Sequence, residues 1–110
     1  MMDRYSIVIT PYAEAQLKET VDYIAVELAN PIAANTFIDR IQEKISRLKD
    51  YPEAYPLVKE NPWNEIGVRK AIVKSFIVYF KVDDGRREVD VLAVVYGKMD
   101  QLNQLKKLDF

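Results

Sequence analysis

Apolar residues at Ala13, Leu17, Val21, Ile24 and Leu28 succeed one another at spacings of four, four, three and four. That spacing keeps them on one stripe of an α-helix. A second stripe runs through Ala34, Phe37/Ile38, Ile41, Ile45 and Leu48. Each has a start signal ahead of it, Thr10-Pro11 and Asn30-Pro31: a capping side chain, then a proline whose missing N–H the first helical turn does not need. The pattern predicts helices to about Ala29 and to about Asp50. Tyr5 to Thr10 alternates and is β-branched, and predicts a strand with Tyr5, Ile7 and Ile9 on one face.

Period-two patterning returns after residue 66. Val68–Val73 sets Arg69 and Ala71 opposite Val68, Lys70 and Ile72. Phe76–Val82 sets Phe76, Val78, Phe80 and Val82 opposite Ile77, Tyr79 and Lys81. The loop Asp83-Asp84-Gly85-Arg86-Arg87 carries an Asp-Gly hairpin signal. Val89–Tyr96 is almost continuously apolar through VLAVV, as expected of a central strand buried on both faces. Leu102, Leu105 and Leu108 suggest a short final helix. Between helices and strands lies YPEAYPLVKENPWNEI, where Pro52, Pro56 and Pro62 forbid a continuous helix. Its Tyr51, Tyr55 and Trp63 read as half-buried struts that pin the connector to the core.

The order β-α-α-β-β-β predicts an α+β fold in which an antiparallel helical hairpin packs on a mainly antiparallel four-stranded sheet. At 110 residues, a single domain spanning 1–110 is expected. The helices cover one sheet face, so the other is expected to be only partly covered and open to a partner.

Composition narrows the chemistry more than it names it. There is no cysteine and no histidine. Disulfides, thiol chemistry and a histidine base are excluded, and a zinc site is improbable on residue type. No cofactor or metal site is expected. Three glycines cannot build a phosphate-cradling loop. No apolar run reaches a membrane span and no leader is evident, so a cytoplasmic protein is expected. The net charge of −1 hides an asymmetry: residues 1–65 hold 7 basic and 11 acidic groups, residues 66–110 hold 9 and 6. The overall balance argues against strong non-specific nucleic-acid binding, while the mildly basic sheet half leaves room for a local basic face. Asp83 and Asp84 read as turn formers beside Gly85 rather than paired catalytic carboxylates. The remaining candidates are cations and phenols on the sheet: Arg69, Lys70, Lys74, Lys81 and Lys98 with Tyr79 and Tyr96. Such groups stabilise phosphate charge or move protons in RNA cleavage.

The segments YSIVITPYAEAQL, NPIAANTFIDRI, VRK…FIVYFKVDD and VLAVVYGKMD, in this order and spacing, resemble the RelE/ParE superfamily of bacterial type II toxin–antitoxin toxins over nearly the whole chain. The resemblance implies a small growth-inhibiting toxin silenced by a cognate antitoxin, of the kind also linked to plasmid stabilisation. RelE-like members cut mRNA on the ribosome, whereas ParE-like members inhibit DNA gyrase. The cutting branch commonly carries an arginine ahead of the tyrosine of the second sheet strand, where this chain has Ile77. It also carries an arginine after the Gly-Lys turn, where this chain has Met99, and a tyrosine or histidine near the C-terminus, where Leu105 stands. Arg69 and Lys98 do match basic positions. If the chain is a nuclease, its catalytic candidates are Arg69, Lys98, Tyr79 and Tyr96. The missing charges favour a non-enzymatic, ParE-like toxin; a ribosome-dependent mRNA endonuclease and a degenerate, non-toxic member are the alternatives.

Overall fold

Thr10 and Asn30 perform the capping that their positions predict. In the computed structural model, which describes residues 4–108, the Thr10 hydroxyl accepts from the Ala13 N–H at 3.2 Å, and the Asn30 side-chain oxygen accepts from the Ala33 N–H at 3.0 Å. These caps open α1, Pro11–Asp22, and α2, Pro31–Arg47. Strand β1 (Ser6–Ile9) precedes them. After the connector, a one-turn helix α3 (Trp63–Ile66) leads into β2 (Val68–Val73), β3 (Phe76–Asp83) and β4 (Glu88–Tyr96), and α4 (Gln101–Lys106) closes the order.

The sheet order is β1-β4-β3-β2. β2, β3 and β4 form an antiparallel meander, and β1 lies parallel to β4, with Ser6 opposite Glu88. The arrangement is the expected α+β layout with one parallel pair. β4 is a central strand, as its apolar run indicates.

A bulge in β4 explains how VLAVV serves two faces. Tyr79 pairs with Ala93 and Phe80 with Val91, which leaves Leu92 as an extra residue. The insertion reverses the alternation. Val89, Val91 and Val94 therefore join the core beneath the helices, while Ala93 and Val95 face the other side. Gln16 of α1 secures the irregular strand by accepting from the Val94 N–H at 2.9 Å. The helix-side core also holds Ala13, Phe37, Ile41, Ile45, Leu48, Ala71, Val78 and Phe80. Full burial of each large apolar side chain stabilises by ~1.5–3 kcal/mol.

Three expectations need correction. The far sheet face, expected to be only partly covered, carries a core of its own. Val58, Trp63, Val68, Tyr79, Ala93, Val95 and Leu105 form a second core there, because the connector, α3 and α4 fold back over it. The α1 stripe does not extend to Leu28, which is 55% exposed. The helix widens into a π-turn over Tyr23–Glu27, so the Leu28 N–H reaches the Tyr23 carbonyl at 3.0 Å. One extra residue in that turn rotates Leu28 off the core stripe. In the connector, Trp63 is buried and Tyr55 half-buried, but Tyr51 is exposed and is no strut. At β1, Tyr5 and Ile7 join the helix-side core while Ile9 is 37% exposed.

Two glycines hold positions that other residues would strain. Gly67 ends α3 at φ +101°, a left-handed cap. A Cβ at Gly97 would sit 3.0 Å from the Ser75 carbonyl oxygen, which accepts the Gly97 N–H at 2.6 Å.

Candidate functional site

Arg69 starts β2 on the helix side of the sheet, opposite Phe80. Its guanidinium donates to the Tyr55 carbonyl at 2.6 Å and to the Glu53 carbonyl at 3.2 Å. A charged donor bound to two neutral carbonyls holds the 3₁₀ turn Pro52–Ala54 against the sheet. Arg69 is half-buried in that role.

Tyr79 is the next residue along β3 toward the β2–β3 hairpin and so faces the other way. It stands across from Lys70 and is buried within the second core. Its hydroxyl donates to the Gln101 side-chain oxygen at 2.7 Å. Gln101 in turn donates to the carbonyls of Tyr96 at 3.0 Å and Met99 at 2.8 Å. One glutamine thus ties the first turn of α4 to β3 and to the turn after β4. Sequence reasoning missed it, although Asp100, which caps α4 by accepting from the Asn103 N–H at 3.3 Å, is a recognisable start signal two positions after Lys98.

Burial, with a smaller contribution from the charge of Glu60, pushes the Tyr79 phenol up to about 12. At neutral pH it is a proton donor only and no base. An unfolded chain ionises this phenol near pH 10, so the fold loses Tyr79's contribution as pH rises from there to about 12. Spectrophotometric titration should find a phenol that ionises well after the ordinary tyrosines and is missing in Tyr79→Phe. If every phenol titrates near 10, the buried donor is absent.

Tyr96 ends β4 on the helix side, its ring 5.6 Å from that of Phe76, and is part exposed. Lys98 is exposed in the turn beyond it. Phe76 pairs with both Tyr96 and Val73, which places this turn at the β2–β3 hairpin end of the sheet. Arg69 lies four residues back along β2 from Val73, roughly 13 Å away at ~3.3 Å per residue. The four candidate residues therefore do not converge: Tyr96 and Lys98 share the hairpin end, Arg69 is remote from them, and Tyr79 opens onto the opposite face. Ile77 and Leu105 are packed in or against that second core, and Met99 is exposed. No group of three or more acidic side chains gathers as a metal site among the described residues.

Asp83 accepts from the Arg86 N–H at 3.2 Å, as a turn former does, and Asp84 accepts from the Tyr5 hydroxyl at 2.9 Å. No helix is long and apolar enough to cross a membrane among the described residues.

The surface offers a groove instead. A pocket of about 220 Å³ opens between α2 and the β2–β3 hairpin, lined by Ile24, Phe37, Val73 and Phe76, with Arg40 and Lys74 among its walls. Beside it runs the free margin of β2. The connector covers the first part of that margin, where Val58 N–H bonds the Val68 carbonyl at 2.9 Å and Lys70 N–H bonds the Pro56 carbonyl at 3.0 Å. By strand alternation Ile72 is the next outward-facing backbone unit, and its side chain is 63% exposed.

The family profile described as "ParE toxin of type II toxin-antitoxin system, parDE" matches residues 7–101, from β1 into α4. The chain belongs to the ParE toxin family. Among solved structures, a chain of the chromosomal ParDE toxin–antitoxin system from P. aeruginosa superposes with a TM-score of 0.68 at 23% identity, covering 84% of this chain and 95% of that one. A chain of the RelBE2 toxin–antitoxin complex from Mycobacterium tuberculosis superposes with a TM-score of 0.59 at 15% identity, covering 84% and 98%. At such identities the likeness establishes the shared fold. None of the curated proteins matches. In this ParE family member, Arg69 sits at the start of the first meander strand and serves the scaffold there.

Proposed function

We propose that this toxin arrests growth by binding an essential macromolecule in the cytoplasm, in the ParE manner, rather than by cutting RNA. DNA gyrase is the first target to test. The observation that carries the reading is the placement of Arg69 and Tyr79. One is bound to connector carbonyls on the helix side, and the other is buried, protonated and bonded to Gln101 on the far side. A phosphate cannot meet both. Losing a positioned charge stabiliser costs a factor of ~10² or more in rate. The family profile supports the same reading.

The groove between α2 and the β2–β3 hairpin suits the antitoxin. Its apolar floor, flanking Arg40 and Lys74 and adjacent free strand margin at Ile72 fit an extended or helical segment of apolar and acidic residues.

Induction of the chain alone should stop growth, inhibit gyrase supercoiling in a purified reaction, and leave ribosome-bound mRNA uncut at saturating protein. Arg69→Ala should reduce the arrest only in step with the loss of folded protein. Codon-position cuts in mRNA, abolished by Arg69→Ala in a folded protein, would replace this reading with ribosome-dependent cleavage. Uninhibited growth would mark a non-toxic member.

A further inference from the structure

The tip of the helical hairpin is built against the ordinary rule for an exposed turn. Between Tyr23 and Ile32 the chain exposes four large apolar side chains: Tyr23 at 55%, Val26 at 73%, Leu28 at 55% and Ile32 at 78%. Scattered exposed apolar residues need no explanation, but four within ten consecutive residues do. The π-turn adds Leu28 to this exposed set. Had α1 kept its regular period, Leu28 would fall on the core stripe with Leu17, Val21 and Ile24; the wide turn over Tyr23–Glu27 rotates it out. Ala29 then takes a left-handed φ of 49°, and the Asn30 N–H bonds the Ile24 carbonyl at 3.1 Å to close the connection. A left-handed residue there ends the helix as a C′ cap does, and fixes the direction in which the chain after Leu28 leaves.

The charge carried by the tip segment itself is of one sign. From Glu19 to Asp39 the sequence holds Glu19, Asp22, Glu27 and Asp39, and no lysine or arginine between Lys18 and Arg40. All four acids are exposed. Such a surface repels a phosphate backbone and attracts cations. It is opposite in character to the groove flanked by Arg40 and Lys74.

We propose that the Tyr23–Ile32 tip is a docking surface for a protein partner that presents apolar side chains flanked by lysine or arginine. The charge complementarity selects a basic amphipathic protein segment. The tip is thereby a second binding surface, adjoining the groove at Ile24 but carried on the outward side chains of the hairpin end. The inference names the chemistry of the bound partner and rests on the binding reading above only for its cellular consequence.

A labelled helical peptide of leucine and lysine is the direct probe, read by fluorescence anisotropy on the full chain. The protein should bind it and not bind a leucine–glutamate counterpart or a single-stranded RNA. Val26→Ser with Ile32→Ser should weaken binding roughly tenfold or more, and Glu27→Lys with Asp22→Lys should do the same, as for an interface whose few central contacts dominate. Glu14→Lys, in the first turn of α1, should leave binding within about twofold, since an exposed charge away from the contact matters little. The substituted side chains are exposed, so thermal melts should match the parent. Absence of binding to the lysine peptide, equal binding of the acidic peptide or RNA, or equal loss from Glu14→Lys would each overturn the assignment. A gyrase supercoiling assay separates this failure from that of the functional reading. Parent protein that inhibits while the tip variants inhibit equally removes the tip from target binding and leaves the functional reading intact.

Discussion

Phe80→Ala should lower the free energy of unfolding by about 3–5 kcal/mol, the usual cost of emptying a large aromatic site in a close-packed core. Phe80 has no exposed surface and sits on the helix side of β3, with Arg69 opposite it on β2 and Val91 on β4. The Tyr55 ring meets it edge-on at 5.7 Å, and the Tyr55 carbonyl is the one that Arg69 holds most tightly. Truncation therefore removes packing and loosens the seat of the connector together. Small domains carry only about 5–15 kcal/mol in total, so the variant should unfold at much lower urea with little change in slope. A midpoint shift equivalent to less than about 1 kcal/mol would mean that the site collapses around the smaller side chain, and that the core depends little on this ring.

Trp63→Ala should cost about as much, again roughly 3–5 kcal/mol, and its effect should be felt first at the other end of the chain. Trp63 is 8% exposed and shares the second core with Val58, Val68, Tyr79, Ala93, Val95 and Leu105. Six residues of α4 are too few to form a helix in isolation, so its order derives from docking into this cluster. Amide exchange across Gln101–Lys106 should accelerate strongly in the variant, ahead of exchange in β3. Trp63→Phe should recover most of the protection. If α4 stays as protected in Trp63→Ala as in the parent, its anchorage lies elsewhere, in Gln101 and its three hydrogen bonds.

The elements and their partners are legible because the sequence states them locally. Thr10-Pro11 and Asn30-Pro31 mark helix starts without reference to anything distant, and the alternation from Phe76 to Val82 assigns its faces correctly. The errors lie where the backbone departs from a fixed period. The π-turn at Tyr23 and the bulge at Leu92 each insert one residue, and each redirects the side chains after it. No periodicity argument detects an insertion in advance, so a regular period puts Leu28 in the core and gives no sign of the second one. The candidate site is less legible still. Arg69, Tyr79, Tyr96 and Lys98 lie close along the sequence, but strand alternation and strand length send them to two faces and two ends of one sheet. Residue type singles them out, and only the pairing register shows that they stay apart.

β1 is the first strand of this sheet to be synthesised, and its only neighbour in the sheet is the last. The Thr10 hydroxyl reaches the Leu92 carbonyl, 82 positions later, at 3.3 Å. While the chain emerges from the ribosome, β1 and the apolar stripes of both helices have no finished sheet to cover until β4 has appeared. Native order thus arrives late in translation rather than along it. Chains broken off before β4 lack a central strand that contributes to both cores, and neither core can close without it.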